Sequence, residues 1–234
     1  MLDYSADGGV AQITIADVRL LSKHDIVAAK DLRDAIWEAN DDNDVKVIVL
    51  RSDAHDFSPR VTAKPDDNAL RNFTAFQDAY YGPHGLYQSV CYPKKVVVLE
   101  VQGECAGAGT LLMLYSDIVV ASSDSTFRTP ADDLPASNTI FPILIMGLHR
   151  AKAWNLAGRP LSAQDAEAWG VVNYVVEREG LRAKTAECAA KIARMPLDAI
   201  TSTKMGFNAV ADSSGASEDF ALSAFYAASR HSLS

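Results

Sequence analysis

Three glycines close together, Gly103, Gly107 and Gly109, carry the main chemical signal in this chain. They lie between a β-branched run, Val96 to Val101, and an apolar segment of helical character, Thr110 to Tyr115. A strand that enters a glycine-rich turn and leaves as a helix aims backbone N–H groups at one point, where an anion or a developing oxyanion can be held. Glycine permits the close approach and the unusual φ values that such a turn needs. The same spacing also suits a tight βα turn packed with small residues, so the turn alone leaves both readings open.

The rest of the chain supplies elements to position that turn. Val10 to Ala16 predicts a short strand after the turn residues Asp7-Gly8-Gly9. His24 to Ala39 predicts a helix, with Ile26, Val27, Leu32, Ala35, Ile36 and Ala39 near helical spacing, ended by the polar run Asn40 to Asp44. Val45 to Leu50 is nearly continuous in apolar residues, as a parallel strand buried on both faces should be. Asn68 to Val90 is helix-compatible with an interruption at Gly82-Pro83. Asp117 to Ala121 predicts a further buried strand, and Phe127 to Asn138 a loop. Ser162 to Asp165 resembles a capping box, with Gly170 placed to stop the helix that follows. Val171 to Val176 predicts a short strand, and Leu181 to Arg194 and Asp219 to Ser229 predict helices. The pattern is α/β with a helical C-terminal part.

Composition excludes several classes of function. The 234 residues, 48% hydrophobic and 22% charged, can build one good core. A net charge of −8, with no Lys/Arg run longer than Lys94-Lys95, argues against nucleic-acid binding. Cys91, Cys105 and Cys188 lack metal spacing and are odd in number, which suits a reduced, cytoplasmic setting. No segment reads as a membrane span or a signal peptide, so a soluble protein is expected.

Three stretches in order, Asp41 to Ser58, Lys94 to Phe127 and Leu156 to Val176, give the chain a family resemblance. It resembles the crotonase superfamily, the enoyl-CoA hydratase/isomerase family. The resemblance implies a spiral of ββα units over residues 1–176 and a C-terminal helical oligomerisation region over 177–234. It also implies a homotrimer or a dimer of trimers. Two backbone N–H groups in that family hold a thioester carbonyl oxygen and stabilise the derived enolate, each donor worth about 3–4 kcal/mol. On this sequence they correspond to Val61 and Ala108.

The chain departs from the family's pattern at several points. Pro59-Arg60 replaces a small residue and a glycine beside the thioester site, and Arg60 is a candidate anion ligand or a surface arginine on a remodelled loop. Leu111 and Ala131 occupy the positions of the two hydratase glutamates, so both acid positions are empty. Asp132 and Asp133 follow at once and are candidates for a single acid/base, with Asp132 favoured, or for a turn cap. Gly107, Leu111, Ala131, Arg60 and His84 are candidates to contact substrate. Glu104, inside the glycine turn, should point away from the oxyanion. Asn138 and Thr139 disfavour a dehalogenase-type carboxylate attack.

The resemblance therefore implies an enzyme that stabilises an enolate of an acyl-thioester, of isomerase, decarboxylase or C–C bond-cleaving type. A CoA-independent β-diketone hydrolase and a non-catalytic binding protein are the alternatives. No tightly bound cofactor is expected, and coenzyme A enters as part of the substrate if at all. The expected partner is a small molecule, an acyl-thioester or a diketone, with neither nucleic acid nor membrane.

Overall fold

The computed structural model describes residues 2–23, 25–61, 73–130 and 139–232. It opens on a hairpin that sequence patterning passes over. Strand β1 (Leu2–Asp7) pairs antiparallel with β2 (Val10–Ile15), closed by Gly8 and Gly9 at φ 57° and 83°. A two-residue hairpin turn with positive φ at both centres matches the twist of its strands, and glycine adopts it without strain. β1 is an edge strand whose residues are mostly exposed, so it lacks the apolar alternation that would mark it.

From β2 onward the main sheet is parallel. β3 (Val47–Arg51), β4 (Val96–Val101), β6 (Ile118–Ser122) and β9 (Tyr174–Val176) follow in the order β1-β2-β3-β4-β6-β9. Val47, Val49, Val98 and Val120 face one side and pack with Leu181 and Ala189. Ile48, Leu50, Val97 and Leu99 face the other and join the main core. Burial on both faces explains why these strands read as continuous apolar runs. A small second sheet joins β5 (Glu104–Cys105), β7 (Thr126–Phe127) and β8 (Leu161–Ser162).

Short α1 (Arg19–Ser22) precedes α2 (Ile26–Asp41), which is capped by the Asp25 carboxylate accepting from Ala28 N at 2.8 Å. The polar run at Asn40 was expected to end α2; instead the helix continues to Asp41. Buried Asn40 is held inside it because its Oδ1 accepts the Lys94 N–H at 2.7 Å. The Gly82-Pro83 interruption separates α3 (Phe73–Tyr80) from α4 (Leu86–Cys91). α5 (Ala108–Tyr115) leaves the glycine turn and is buried along its whole length. Then come α6 (Ile140–Met146), α7 (Leu148–Ala157) and α8 (Ala163–Ala168). Ser162 caps α8 by accepting from Asp165 N at 3.0 Å, as the capping pattern predicts, while the Asp165 carboxylate turns to Arg159 at 3.1 Å.

The last helices are α9 (Leu181–Ala193), α10 (Leu197–Ser213) and α11 (Ala216–Ser232). Two buried side chains tie them back. Lys204 donates to Lys95 O at 2.9 Å and to Asp117, which also accepts the Val97 N–H at 2.7 Å. Asp219 caps α6 from α11, accepting from Thr139 N at 3.2 Å and Ile140 N at 3.3 Å. Among the described residues no helix is long and apolar enough to cross a membrane.

One buried acid gives the fold a pH signature. Glu100, on β4, is 1% exposed and meets Arg182 Nη1 at 2.6 Å. Burial raises its carboxyl above the ordinary value of 4.5, outweighing Thr185 and Arg182. The folded state then binds this proton more tightly than the unfolded state, so the contribution of Glu100 to stability falls as pH rises through the window above 4.5. Urea unfolding of Glu100→Gln against wild type, from pH 4 to 7, is expected to show the wild type losing stability relative to the variant as pH rises. A difference that stays flat or runs the other way contradicts the assignment.

Candidate active site

The site begins where the loops leaving β3 and β4 run side by side. Phe57 N–H donates to Gln102 O at 2.7 Å, Ser58 N–H to Glu104 O at 2.9 Å, and Ala106 N–H to Ser58 O at 2.8 Å. Ser58 and Cys105 thus form a parallel bridge, and Ser58 Oγ adds a bond to Ala106 O at 2.8 Å. Val61 lies three residues beyond Ser58, and Ala108 three beyond Cys105.

Each glycine of the turn has a separate task. A Cβ on Gly109 would lie 2.3 Å from Ser58 Cβ, and one on Gly103 would lie 2.2 Å from Asp56 Oδ1. These two residues let the 56–58 segment lie flat against the turn. Gly103 also holds a φ of 61°. Gly107 precedes α5 with φ 53° and ψ −124°, a backbone conformation that an L side chain strains. Ala108 is the first residue of α5, so its N–H points out of the positive end of the helix dipole. Close packing and the start of a buried helix therefore meet in one turn.

The surrounding polar groups hold this turn in place. Asp56 Oδ1 accepts Glu104 N–H at 2.9 Å, and Thr110 Oγ1 donates to Arg128 O at 3.0 Å. Glu104 turns to Arg128, whose Nε donates to Oε1 at 2.6 Å, while Oε2 accepts the Arg60 backbone N–H at 3.0 Å. The sequence sets the expectation that Glu104 points away from the oxyanion; its partners, Arg60 and Arg128, are not legible there. Arg128, next to Phe127, was the available signal.

The other predicted residues are placed as follows. Gly107, Ala108 and Leu111 are fully buried, Val61 is half-buried, and the Arg60 side chain is exposed. His84 is exposed and sits edge-on to Trp37 of α2, with ring centres 6.0 Å apart. Ala131, Asp132, Asp133 and Asn138 lie outside the described residues. The chain leading to them is fixed by Thr129 Oγ1, which donates to Asn155 at 2.6 Å. Thr139 has both its N–H and its hydroxyl on Asp219.

Three buried phenols, Tyr81, Tyr87 and Tyr115, pack in a row that ends at the C-terminal end of α5, with ring centres 5.0 and 5.5 Å apart. Burial pushes Tyr87 and Tyr115 well above the usual phenol range. Burial likewise pushes the Cys105 thiol up to about 12, which removes it as a nucleophile near neutral pH. Sequence reasoning missed the tyrosine row, whose members are scattered over α4, α5 and the turn after α3. On the outer side of the Phe57 segment a cleft of about 200 Å³ is lined by Asp17, Arg19, His55, Asp56, Phe57 and Pro59. Arg19 grips Asp17 at 2.8 and 2.9 Å, and these bonds hold the Asp17 carboxyl below its usual range. No cluster of metal-ligating side chains occurs among the described residues.

A parallel sheet with crossover helices, a small side sheet and a glycine turn at the carboxyl ends of two adjacent strands define a crotonase fold. The family model for enoyl-CoA hydratase/isomerase matches residues 5–229, and the chain belongs to that family. A probable enoyl-CoA hydratase from Mycobacterium smegmatis superposes over 100% of this chain and 97% of its own, with a TM-score of 0.82 at 28% identity. A Rhodococcus jostii (7aS)-7a-methyl-1,5-dioxo-2,3,5,6,7,7a-hexahydro-1H-indene-carboxyl-CoA hydrolase is 29% identical over 77% of this chain and 70% of its own. A 4-chlorobenzoyl coenzyme A dehalogenase from Arthrobacter is 27% identical over 75% of this chain and 67% of its own.

The packing of Gly109 on Ser58 gives a direct test. Gly109→Ala is expected to lower stability by about 2 kcal/mol in urea unfolding, because the displaced neighbour is the annealed loop. Gly206→Ala, in open space on α10, should leave stability unchanged or raise it by up to about 1 kcal/mol. Equal effects at the two positions would contradict the contact.

Proposed function

We propose that this protein is an acyl-CoA-acting enzyme that polarises a thioester carbonyl between the Val61 and Ala108 N–H groups and stabilises the enolate formed from it. The carrying observation is the parallel bridge Ser58–Cys105, after which both donors fall at the same step along their chains. Gly107 and the helix that opens at Ala108 add oriented dipoles at that point. Buried Leu111 follows one turn into α5, and no proton can be taken or given by it. In this reading Leu111 and Ala131 replace the two hydratase acids, and Asp132 or Asp133 is the single acid/base. Gly107 and Leu111 form the wall beside the reacting carbon, and Arg60 and His84 lie at the rim. No tightly bound cofactor is required, and coenzyme A arrives as the thioester half of the substrate.

Among reactions of this kind we favour cleavage of a C–C bond by water. Water adds to a ketone carbonyl two carbons from the thioester carbonyl, and the bond from that ketone carbon to the α-carbon breaks, so that the ketone carbon leaves as a carboxylic acid. The electron pair is left as the thioester enolate, which the two N–H groups hold until the α-carbon is protonated. Similarity to a relative described as a dioxo-indene-carboxyl-CoA hydrolase supports this choice over isomerisation or decarboxylation. It also supports a diketone that carries CoA over one that does not. A dehalogenase-type attack is not favoured: residue 138 is Asn, and the Thr139 hydroxyl is bonded to Asp219.

Titration calorimetry with acetyl-CoA and crotonyl-CoA, with crotonyl-CoA hydration followed alongside, tests the reading. Binding without hydration is the expected result. Ala108→Pro removes one donor at a helix position that tolerates proline, and should lower turnover of a β-keto acyl-CoA by about 100-fold or more. Asp132→Asn should lower turnover and leave thioester binding intact. Absence of thioester binding would sink the proposal, and rapid hydration would sink its non-hydratase part.

Association into trimers belongs to the same reading, in a cytoplasmic setting that suits three free thiols. Met205, Phe207 and Val210 on α10 and Leu222 and Phe225 on α11 are more than half exposed, an apolar area suited to a second copy of the chain. Sedimentation velocity should give a trimer or hexamer for wild type and smaller species for Phe207→Glu. A monomeric wild type would refute this.

A further inference from the structure

We propose that Glu104 is a positioning residue that fixes the Val61 N–H, and that it compensates for Pro59-Arg60; this rests on the oxyanion reading of Val61 and Ala108. Glu104 meets the opposing loop three times. Its N–H donates to Asp56 Oδ1 at 2.9 Å, its carbonyl accepts Ser58 N–H at 2.9 Å, and its Oε2 accepts Arg60 N–H at 3.0 Å. One residue thereby extends the ladder beyond the reach of its own backbone. Ser58 is bound main chain to main chain on both its N–H and its carbonyl, and two residues on the Arg60 N–H is held by a side chain acting as a further rung.

The geometric consequence is specific. Pro59 has a nearly fixed φ and no N–H. With Ser58 and Arg60 both tied, the peptide that carries the Val61 N–H turns only about Arg60's own φ and ψ. The family's usual glycine at position 60 leaves those rotations loose; an arginine narrows them, and the carboxylate of Glu104 anchors their starting point. Two departures from the family pattern, a carboxylate inside the glycine turn and Pro-Arg in the loop, are in this way complementary.

A negative charge next to an oxyanion site would oppose the enolate. Here the second carboxylate oxygen, Oε1, is held by Arg128 Nε at 2.6 Å, so the pair presents no net charge to the pocket. Glu104 thus acts through the loop and never touches the reacting atoms.

The test uses the whole protein and 2,4-hexadienoyl-CoA, whose conjugated carbonyl absorbs at longer wavelength when hydrogen bonds polarise it. Wild type is expected to red-shift the bound chromophore. Glu104→Ala should bind it with the shift lost, and should turn over a β-keto acyl-CoA about 100-fold more slowly at nearly unchanged KM. Glu104→Gln, which keeps an acceptor for Arg60, should restore part of the shift. Amide hydrogen exchange without ligand gives a second readout: residues 57–61 should exchange faster in Glu104→Ala and recover in Glu104→Gln. A red shift in wild type that persists in Glu104→Ala overturns the proposal alone, as does unchanged exchange. A wild-type spectrum unmoved by binding overturns the oxyanion reading and the proposal with it.

Discussion

Three backbone hydrogen bonds, Phe57 to Gln102, Ser58 to Glu104 and Ala106 to Ser58, are the constraint on which the site depends. β3 and β4 are neighbours in a parallel sheet, so the loops that leave them emerge at the same edge. Open α/β sheets place their ligand sites at these carboxyl ends. Proximity alone would leave two independent loops. The annealed segment joins them into one surface and sets Ser58 in register with Cys105. Such close approach of two backbones tolerates no Cβ at Gly103 or Gly109. The glycines are there first for packing.

Packing around the turn is hierarchical. α5 is buried on all sides and cannot adjust, so the turn before it is fixed by a rigid element. The opposite loop is held by its bonds to that turn, by Asp56, Ser58 and Glu104, and by Gln102 and Arg178, which donate to Ala54 O and His55 O. On the proposed reading, stability and function are coupled through the loop: a change that weakens the ladder would cost stability and also misplace a donor, and a change within α5 would cost stability first.

Much of this was legible from residue patterns. The run Val96 to Val101 falls on β4 with the same limits, and Ser162 caps α8 as its spacing predicts. The family and the glycine turn were readable because both are local in sequence. What escaped was long-range. α2 runs through Asn40 because a backbone N–H at Lys94 pairs with it, and Asp219 caps α6 from a helix at the other end of the chain. The partners of Glu104 lie 44 residues before it and 24 after it. No periodicity encodes such pairings. β1 escaped for another reason, since an exposed edge strand needs no apolar face and carries no signature of one.

Among the described residues, the buried side chains of α4, α5 and the glycine turn are poorly suited to moving protons. Leu111 is aliphatic, the phenols of Tyr87 and Tyr115 and the Cys105 thiol are held protonated by burial, and the Glu104 carboxylate is occupied by Arg128. Oriented dipoles act on an enolate as soon as it forms and need no titrating partner. On the proposed reading, a site of this composition would lower the cost of carbanion character at the α-carbon and leave the proton to one group or to water. Addition of water across a double bond needs a base and an acid at once on two adjacent carbons, whereas a reaction whose departing fragment delivers the electron pair directly to the thioester does not.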